Sequence, residues 1–247
     1  MKVAEQMFGT RGNSQLDPLR YDGHMDQPQE VALMLADLVP PGSRVLDVGC
    51  GTGSVSRIIA DARNARIVGI EPNPHRAAAA RARGLEVHEE PFNPAILQRL
   101  EPFDVVIFAD VLEHVVDPGS FLQWARRALV AGGRVIASVP NVAHWSVRLD
   151  LLRGRFNYQP VGILDSTHLR WFTGESVKSL FESNGQRVIS LQHTAGVALP
   201  DYETRLPWRW MSRHHRDPII RKLARGFPLL FGCQHIIHAT PGSFPAY

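Results

Sequence analysis

Between residues 40 and 139 short β-branched runs alternate with longer stretches of helical composition, and this rhythm limits the fold more than any other feature of the chain. The runs at 44–48, 66–70, 85–88, 105–108 and 134–139 read as strands. Their near-continuous apolar character suits parallel strands covered on both faces. Asn73-Pro74, Asn93-Pro94 and Asp117-Pro118 mark helix starts between them, each a capping side chain followed by a proline whose φ suits the first helical position. A βαβαβαβαβ order with right-handed crossovers gives an α/β, Rossmann-like doubly wound sheet with helices on both faces.

After residue 140 the rhythm breaks. Residues 141–170 carry aromatics, glycines and histidines without a period, then Thr173 opens a capped helix that reaches Asn184 and stops at Gly185. The runs at 186–193 and 234–239 read as further strands. The expected sheet therefore has about seven strands, mostly parallel with an antiparallel C-terminal strand. With 247 residues and 44% apolar content, the chain can bury one large core. It divides into an N-terminal lid or helix (1–39), a ligand-binding core (40–139) and a second half (140–247) with a basic insert at 200–231.

The turn after the first strand carries the chemistry. VLDVGCGTG at 45–53 puts Asp47 near the strand end and Gly49, Gly51 and Gly53 in the turn, where a ligand approaches backbone with no Cβ in the way. The position that would complete a dinucleotide GxGxxG is Ser54, which counts against a nicotinamide or flavin. A carboxylate at Asp47 suits a ligand bearing an ammonium group better than one bearing a pyrophosphate. Glu71, twenty residues after Gly51, ends the second strand where an acid accepts hydrogen bonds from a ribose. Together these residues specify a nucleoside with a cationic tail; an ordinary tight turn followed by a solvated acid is the plainer alternative.

The matching strings are VLDVGCGTG at 45–53, GIEPNP at 69–74 and FDVVIFADVLEHVVDP at 103–118. On these the chain resembles the class I S-adenosylmethionine-dependent methyltransferases, in the branch with the ubiquinone-type O-methyltransferases and many glycan and natural-product methyltransferases. The likeness covers roughly residues 30–190. It implies S-adenosyl-L-methionine as cofactor, with Asp47 and the Gly49–Gly53 loop on its methionyl part and Glu71 on its ribose. It further implies that Glu90, Pro91 and Phe92 flank the adenine and that Ala109, Asp110 and Val111 line the cofactor cleft. This chain departs from the family at Glu89-Glu90-Pro91, where an acid followed by a small residue is usual. Tyr21 and His24 would fold over the cofactor as a lid. Strings at 139–158 and 162–177 are similar to bacterial methyltransferases encoded beside glycosyltransferases or related to methionine-biosynthesis proteins.

In an open α/β sheet the ligand lies outside the carboxyl ends of the strands, so residues 110–117 and 140–170 should border the acceptor. A hydroxyl acceptor must lose a proton, which asks for a base of near-neutral pKa. His168 is the first candidate, with Asp165 three residues earlier to orient its ring, and His114 is the second. The plainer readings are a turn histidine that bonds backbone and a packed residue closing its turn. His144 reads as a stacking partner of Trp145. Arg148, Arg153, Arg155 and Arg170 would grip an anionic acceptor or serve as solvated surface.

The insert carries Arg205, Arg209, Arg213, Arg216, Arg221, Lys222 and Arg225 with Trp208 and Trp210. That composition fits an anionic or lipid-linked acceptor, a membrane surface, a homodimer contact or plain helical surface. A net charge of +3 does not decide among them, and the lack of a stacking-platform motif argues against nucleic acid. The only cysteines, Cys50 and Cys233, form no metal-binding spacing pattern, so no metal is expected. Without an apolar signal segment in residues 1–13 or a run long enough to span a bilayer, the expected compartment is the cytoplasm.

The sequence leads to a small-molecule O-methyltransferase acting on a hydroxyl of a sugar, glycan precursor or secondary metabolite. The alternatives are an N-methyltransferase, a non-catalytic S-adenosylmethionine-binding partner or regulator, and, disfavoured by Ser54, a nicotinamide-dependent reductase.

Overall fold

A computed structural model describes residues 26–242. In chain order the elements are α1 (Asp26–Leu38), β1 (Arg44–Val48), α2 (Ser54–Arg63), β2 (Arg66–Ile70), α3 (Pro74–Ala82), β3 (Glu86–His88), α4 (Pro94–Leu97) and β4 (Phe103–Ala109). After a 3₁₀ turn at Leu112–His114 come α5 (Pro118–Ala128), β5 (Leu129–Pro140), α6 (Trp145–Leu152), α7 (Gly174–Ser183) and β6 (Gln186–His193). The last stretch holds α8 (Asp201–Thr204), a 3₁₀ turn at Trp208–Trp210, α9 (Arg213–Gly226), α10 (Pro228–Phe231) and β7 (Gln234–Pro241).

The seven strands form one sheet in the order β3-β2-β1-β4-β5-β7-β6, parallel except where β7 runs against β5 and β6. This is the expected mixed Rossmann-like sheet. The chain reverses its winding between β1 and β4, so a crevice opens at the carboxyl ends of those two neighbours. Their apolar runs are continuous because successive side chains serve opposite layers. Val45, Val105 and Ile107 join Val31, Leu35, Ile59 and Leu85 on the face of α1 and α2, while Leu46, Val48, Val106 and Phe108 join Phe121, Leu122, Val177 and Phe181 on the other.

All three Asx-Pro signals cap as read. The Asn73 side chain accepts from the backbone N–H groups of His75 and Arg76, Asn93 from those of Ala95 and Ile96, and Asp117 from that of Ser120. Thr173 and Ser176 close a capping box at α7. Within the 1–39 segment, α1 is a core helix that buries Val31, Ala32, Leu35 and Ala36; Tyr21 and His24 lie outside the described residues.

The sequence showed no period over 141–170, and this stretch contains α6. The basic insert folds as α8, α9 and α10 around a satellite core of Val147, Ile163, Leu164, Leu199, Tyr202, Trp208, Ile220 and Cys233. Asn141 fastens it to the sheet: its backbone N–H donates to the Cys233 carbonyl and its side chain to the Gly232 carbonyl, at 2.9 and 2.8 Å. Among the described residues no helix is long and apolar enough to cross a membrane.

Candidate cofactor and acceptor site

The turn between β1 and α2 is shaped from both sides. Gly49 and Cys50 N–H both donate to the Ile70 carbonyl, at 2.7 and 3.1 Å, which ties the turn to the end of β2. Gly49 sits at φ +71° with its missing Cβ only 2.8 Å from a Val111 methyl, so Val111 closes the turn from the β4 side. Gly51, at φ +56°, faces open space where a Cβ would stand. That free backbone is what a ligand in the crevice can approach.

Glu71 holds the same turn from β2. Its carboxylate accepts from Gly51 N–H at 3.0 Å and from Asn73 N–H at 2.8 Å, one bond on each oxygen. A carboxylate offers about four lone-pair sites, so two remain for a ribose diol. Burial raises the Glu71 pKa, and the Asn73 N–H, Arg76 and the Gly51 N–H pull it back.

Asp47 is 1% exposed; one of its oxygens accepts from the Ser56 hydroxyl and the other has no partner. Burial pushes its pKa up to about 7, with Glu71 adding to the rise and the Ser56 bond opposing it. An orphaned buried carboxylate oxygen under a glycine turn fits a ligand with a cationic centre, which would restore the compensation that burial removes. Asp47, Gly51 and Glu71 thus suit the aminoacyl-nucleoside that the sequence implied.

Across the crevice, Ala109 ends β4 and Asp110 takes φ +54°. This conformation, uncommon for a side-chain-bearing residue, is held by named bonds. Asp110 N–H donates to the Ser138 hydroxyl at 3.0 Å, while the carboxylate accepts from that hydroxyl at 2.9 Å and from Gln234 Nε2 at 3.1 Å. Burial raises the Asp110 pKa and these two bonds moderate it. Pro91 lies at the edge of the turn after β3. Phe92 points inward, 3% exposed, with ring centroids 5.4 Å from Phe121, 5.8 Å from Trp124 and 6.2 Å from Phe108. Glu90 pairs with Arg99.

His114 and His168, 54 residues apart in sequence, meet with ring centroids 4.8 Å apart. The Leu169 and Arg170 backbone N–H groups donate to the Glu113 carbonyl, at 2.8 and 3.1 Å, and so pin the second histidine's segment to the first's. His168 Nδ1 lies 3.2 Å from the Ile163 carbonyl, and His114 Nδ1 lies 3.2 Å from the Thr167 carbonyl. A carbonyl only accepts, so the ring Nδ1 is the donor in both contacts.

The Asp165 carboxylate accepts from the Thr167 N–H and hydroxyl, both at 2.7 Å, and Asp165 joins His168 through a backbone bond from the His168 N–H to its carbonyl. Glu113, between Asp110 and His114, was passed over as a site residue in the sequence. It is 1% exposed, and its carboxylate oxygens have no hydrogen-bond partner beyond the residue's own backbone N–H. Burial first, then Asp110 and Asp165, raise its pKa well above the usual carboxylate range.

His144 packs against Trp145 as read, with centroids 5.7 Å apart, and also bonds the Ser146 hydroxyl at 2.9 Å and the Tyr202 hydroxyl at 3.2 Å. Arg148 donates to the Ala143 carbonyl and Arg170 to the Val116 carbonyl, so both guanidinium groups brace loops. In the insert Arg205, Arg213, Arg216 and Arg221 pair with Asp150 and Asp201, Glu203, Asp217 and Glu30.

Residues 21–191 match the model of a family described as a methyltransferase domain. A mitochondrial ubiquinone biosynthesis O-methyltransferase from Bos taurus is 27% identical over 187 residues, covering 68% of this chain and 46% of the relative. The chain spans about half the length, or less, of the curated relatives it matches. Among solved structures, a chain of the complex between the Haloferax volcanii Trm112 methyltransferase activator and a methyltransferase superposes with a TM-score of 0.62 at 19% identity, covering 93% of this chain and 96% of that one. A SAM-dependent methyltransferase from Archaeoglobus fulgidus gives 0.60 at 19% identity, covering 90% and 97%. With the doubly wound sheet, the glycine turn anchored by Glu71 and a family match over most of its length, this chain belongs to the class I S-adenosylmethionine-dependent methyltransferases.

Proposed function

We propose that this protein methylates a hydroxyl group on a small-molecule acceptor: a sugar, a glycan precursor or a secondary metabolite. One observation carries the reading. The turn anchored by Glu71 follows β1, and Glu113 and His114 follow its neighbour β4, with His168 packed against His114. When bound, the cofactor supplies an electrophilic methyl group on a sulfonium sulfur. Alignment of acceptor oxygen, methyl carbon and sulfur is the larger part of such catalysis. The chain contributes by holding the nucleoside at Glu71, leaving Gly51 backbone open to the methionyl part, and offering His168 or His114 as the base for an acceptor hydroxyl.

A lipid-linked acceptor is a second reading. It is favoured by Trp210, Phe227 and Leu229, 75%, 61% and 55% exposed on the basic insert, and by the ubiquinone biosynthesis named for the curated relatives. The test is methyl transfer from radiolabelled S-adenosylmethionine to panels of hydroxylated sugars, lipid-linked glycans, quinols and amines. Label on a hydroxyl supports the proposal, and the panel that takes it chooses between the two acceptor classes. Label on amines alone replaces it with N-methylation. Tight cofactor binding with no labelled product from any panel points to a non-catalytic binding protein.

A further inference from the structure

A cavity of about 310 Å³ is bounded by α1, the end of β6, α9 and the start of α10, with Glu30, His193, Arg221, Arg225 and Pro228 among its lining residues. We propose that it binds the phosphate group of an organic phosphate ester, with the Arg221 and Arg225 guanidinium groups as hydrogen-bond donors.

Arg221 and Arg225 stand four residues apart on α9, a spacing that puts both on one helix face, where like charges repel. Arg221 pairs with Glu30 at 3.4 Å, while the Arg225 side chain has no ion-pair or hydrogen-bond partner among the described residues. Glu30 is already engaged: its carboxylate also accepts from the Ala195 and Gly196 N–H groups, at 2.9 and 3.1 Å. Three donors on about four lone-pair sites leave it little to offer a ligand, and its single charge does not balance two guanidinium groups. His193, in the same lining, has Nε2 buried without a partner, a cost that an added oxygen acceptor removes.

The cavity lies at the same end of the sheet as the crevice. β5 and β6 both pair antiparallel with β7, so they run parallel to each other, and the carboxyl end of β6 carries His193. From β4 to β6 is three strand spacings, roughly 14 Å. Thr194, next to His193, donates its N–H to the Gln234 carbonyl at 3.1 Å, and Gln234 in turn holds Asp110 beside the cofactor turn. An acceptor long enough to span this gap places its phosphate in the cavity and its hydroxyl at the crevice. That extension rests on the proposed methyl transfer; phosphate binding by Arg221 and Arg225 does not. Phe227 and Leu229, 61% and 55% exposed, adjoin Pro228 in the chain, so an alkyl tail on the phosphate meets apolar surface there.

The experiment uses full-length protein saturated with S-adenosylhomocysteine, so that the cofactor site is filled, and titrates it by calorimetry with hexyl phosphate and with glucose 1-phosphate. Saturable binding of one equivalent is expected. Arg225→Ala should weaken it by about 10-fold or more, the loss of a hydrogen bond between charged groups. Glu30→Gln keeps an oxygen acceptor for the Ala195 and Gly196 N–H groups but removes the negative charge, and should tighten phosphate binding by about 3-fold or more. A merely structural Glu30 would give no such gain. Both variants should keep their affinity for S-adenosylhomocysteine, which shows that they fold. Arg209→Ala removes an exposed arginine of the insert outside this lining and should leave phosphate affinity unchanged. Tighter binding of hexyl phosphate assigns a lipid-linked source, and tighter binding of glucose 1-phosphate a soluble one. Absence of saturable binding at millimolar concentration, an Arg225→Ala variant that binds as tightly as native protein, or a Glu30→Gln variant that binds no more tightly would overturn the site. Phosphate binding without any methyl acceptor would overturn the proposed function and leave the cavity standing.

Discussion

The two walls of the crevice are built differently. On the β1–β2 side, the turn hangs from strands whose apolar residues are buried in the two layers of the main core, and its bonds run between residues close in sequence or on paired strands. The acceptor side is assembled from Glu113, from Asp165 to Arg170 and from an insert with its own satellite core, joined by contacts that span tens of residues. The first wall is a rigid support for a common ligand. The second is a separate packing unit with its own small core.

This contrast makes the two walls separable by mutation. The largest effect expected is on the acceptor side: His168→Ala should lower turnover by about 10²- to 10⁴-fold while cofactor affinity holds, measured by initial rates and calorimetry. A loss of cofactor binding instead would mean that the walls are not independent. Trp208→Ala opens the satellite core and should cost about 3 kcal/mol in denaturant unfolding, again with cofactor affinity unchanged. Glu71→Ala is the reciprocal test. It should weaken S-adenosylhomocysteine binding by about 1.5–3 kcal/mol, and unchanged affinity would remove Glu71 from the cofactor site.

A pH experiment separates the walls more finely. His144 on the acceptor side and His235 on β7 are both pushed from 6.5 down to about 3, burial being the largest cause. Above pH 6.5 both the folded and unfolded forms are neutral; between 6.5 and about 3 only the unfolded chain takes the proton, so each histidine's contribution is lost as pH falls. Asp47 has the opposite sign. Raised from 3.8 to about 7, it contributes most at low pH and loses that contribution as pH rises through this range. His144→Gln should therefore lose less thermal stability than native protein on going from about pH 7.5 to about pH 5, and Asp47→Asn should gain most over native protein at alkaline pH. The smallest effect belongs to the insert surface, where Arg213→Ala removes the exposed pair with Glu203 and should cost less than about 1 kcal/mol.

The cofactor wall was legible because its determinants are local. Asn73, Asn93 and Asp117 cap helices with backbone two or three residues away, and the register of β1 with β2 sets Glu71 beside Gly51. The acceptor wall was only partly so. His114 and His168 could be nominated by their segments, but no spacing announced that they would meet, and nothing singled out Glu113. Gln234 reaches Asp110 from a strand 124 residues later, with no local signal at either end. The insert was visible as basic composition, yet Arg205, Arg213, Arg216 and Arg221 are committed to ion pairs that composition cannot show.

The sequence by itself determined the sheet, the helix starts, the glycine turn and the acid that ends β2, because periodicity, capping and turn chemistry act over a few residues. Only the tertiary structure decided that Phe92 faces the core, that Arg216 braces the insert, and that Glu113 is buried beside two histidines. Those outcomes depend on which segments pack together across the crossovers, and a carboxylate's environment is set by neighbours that its own stretch of chain does not encode.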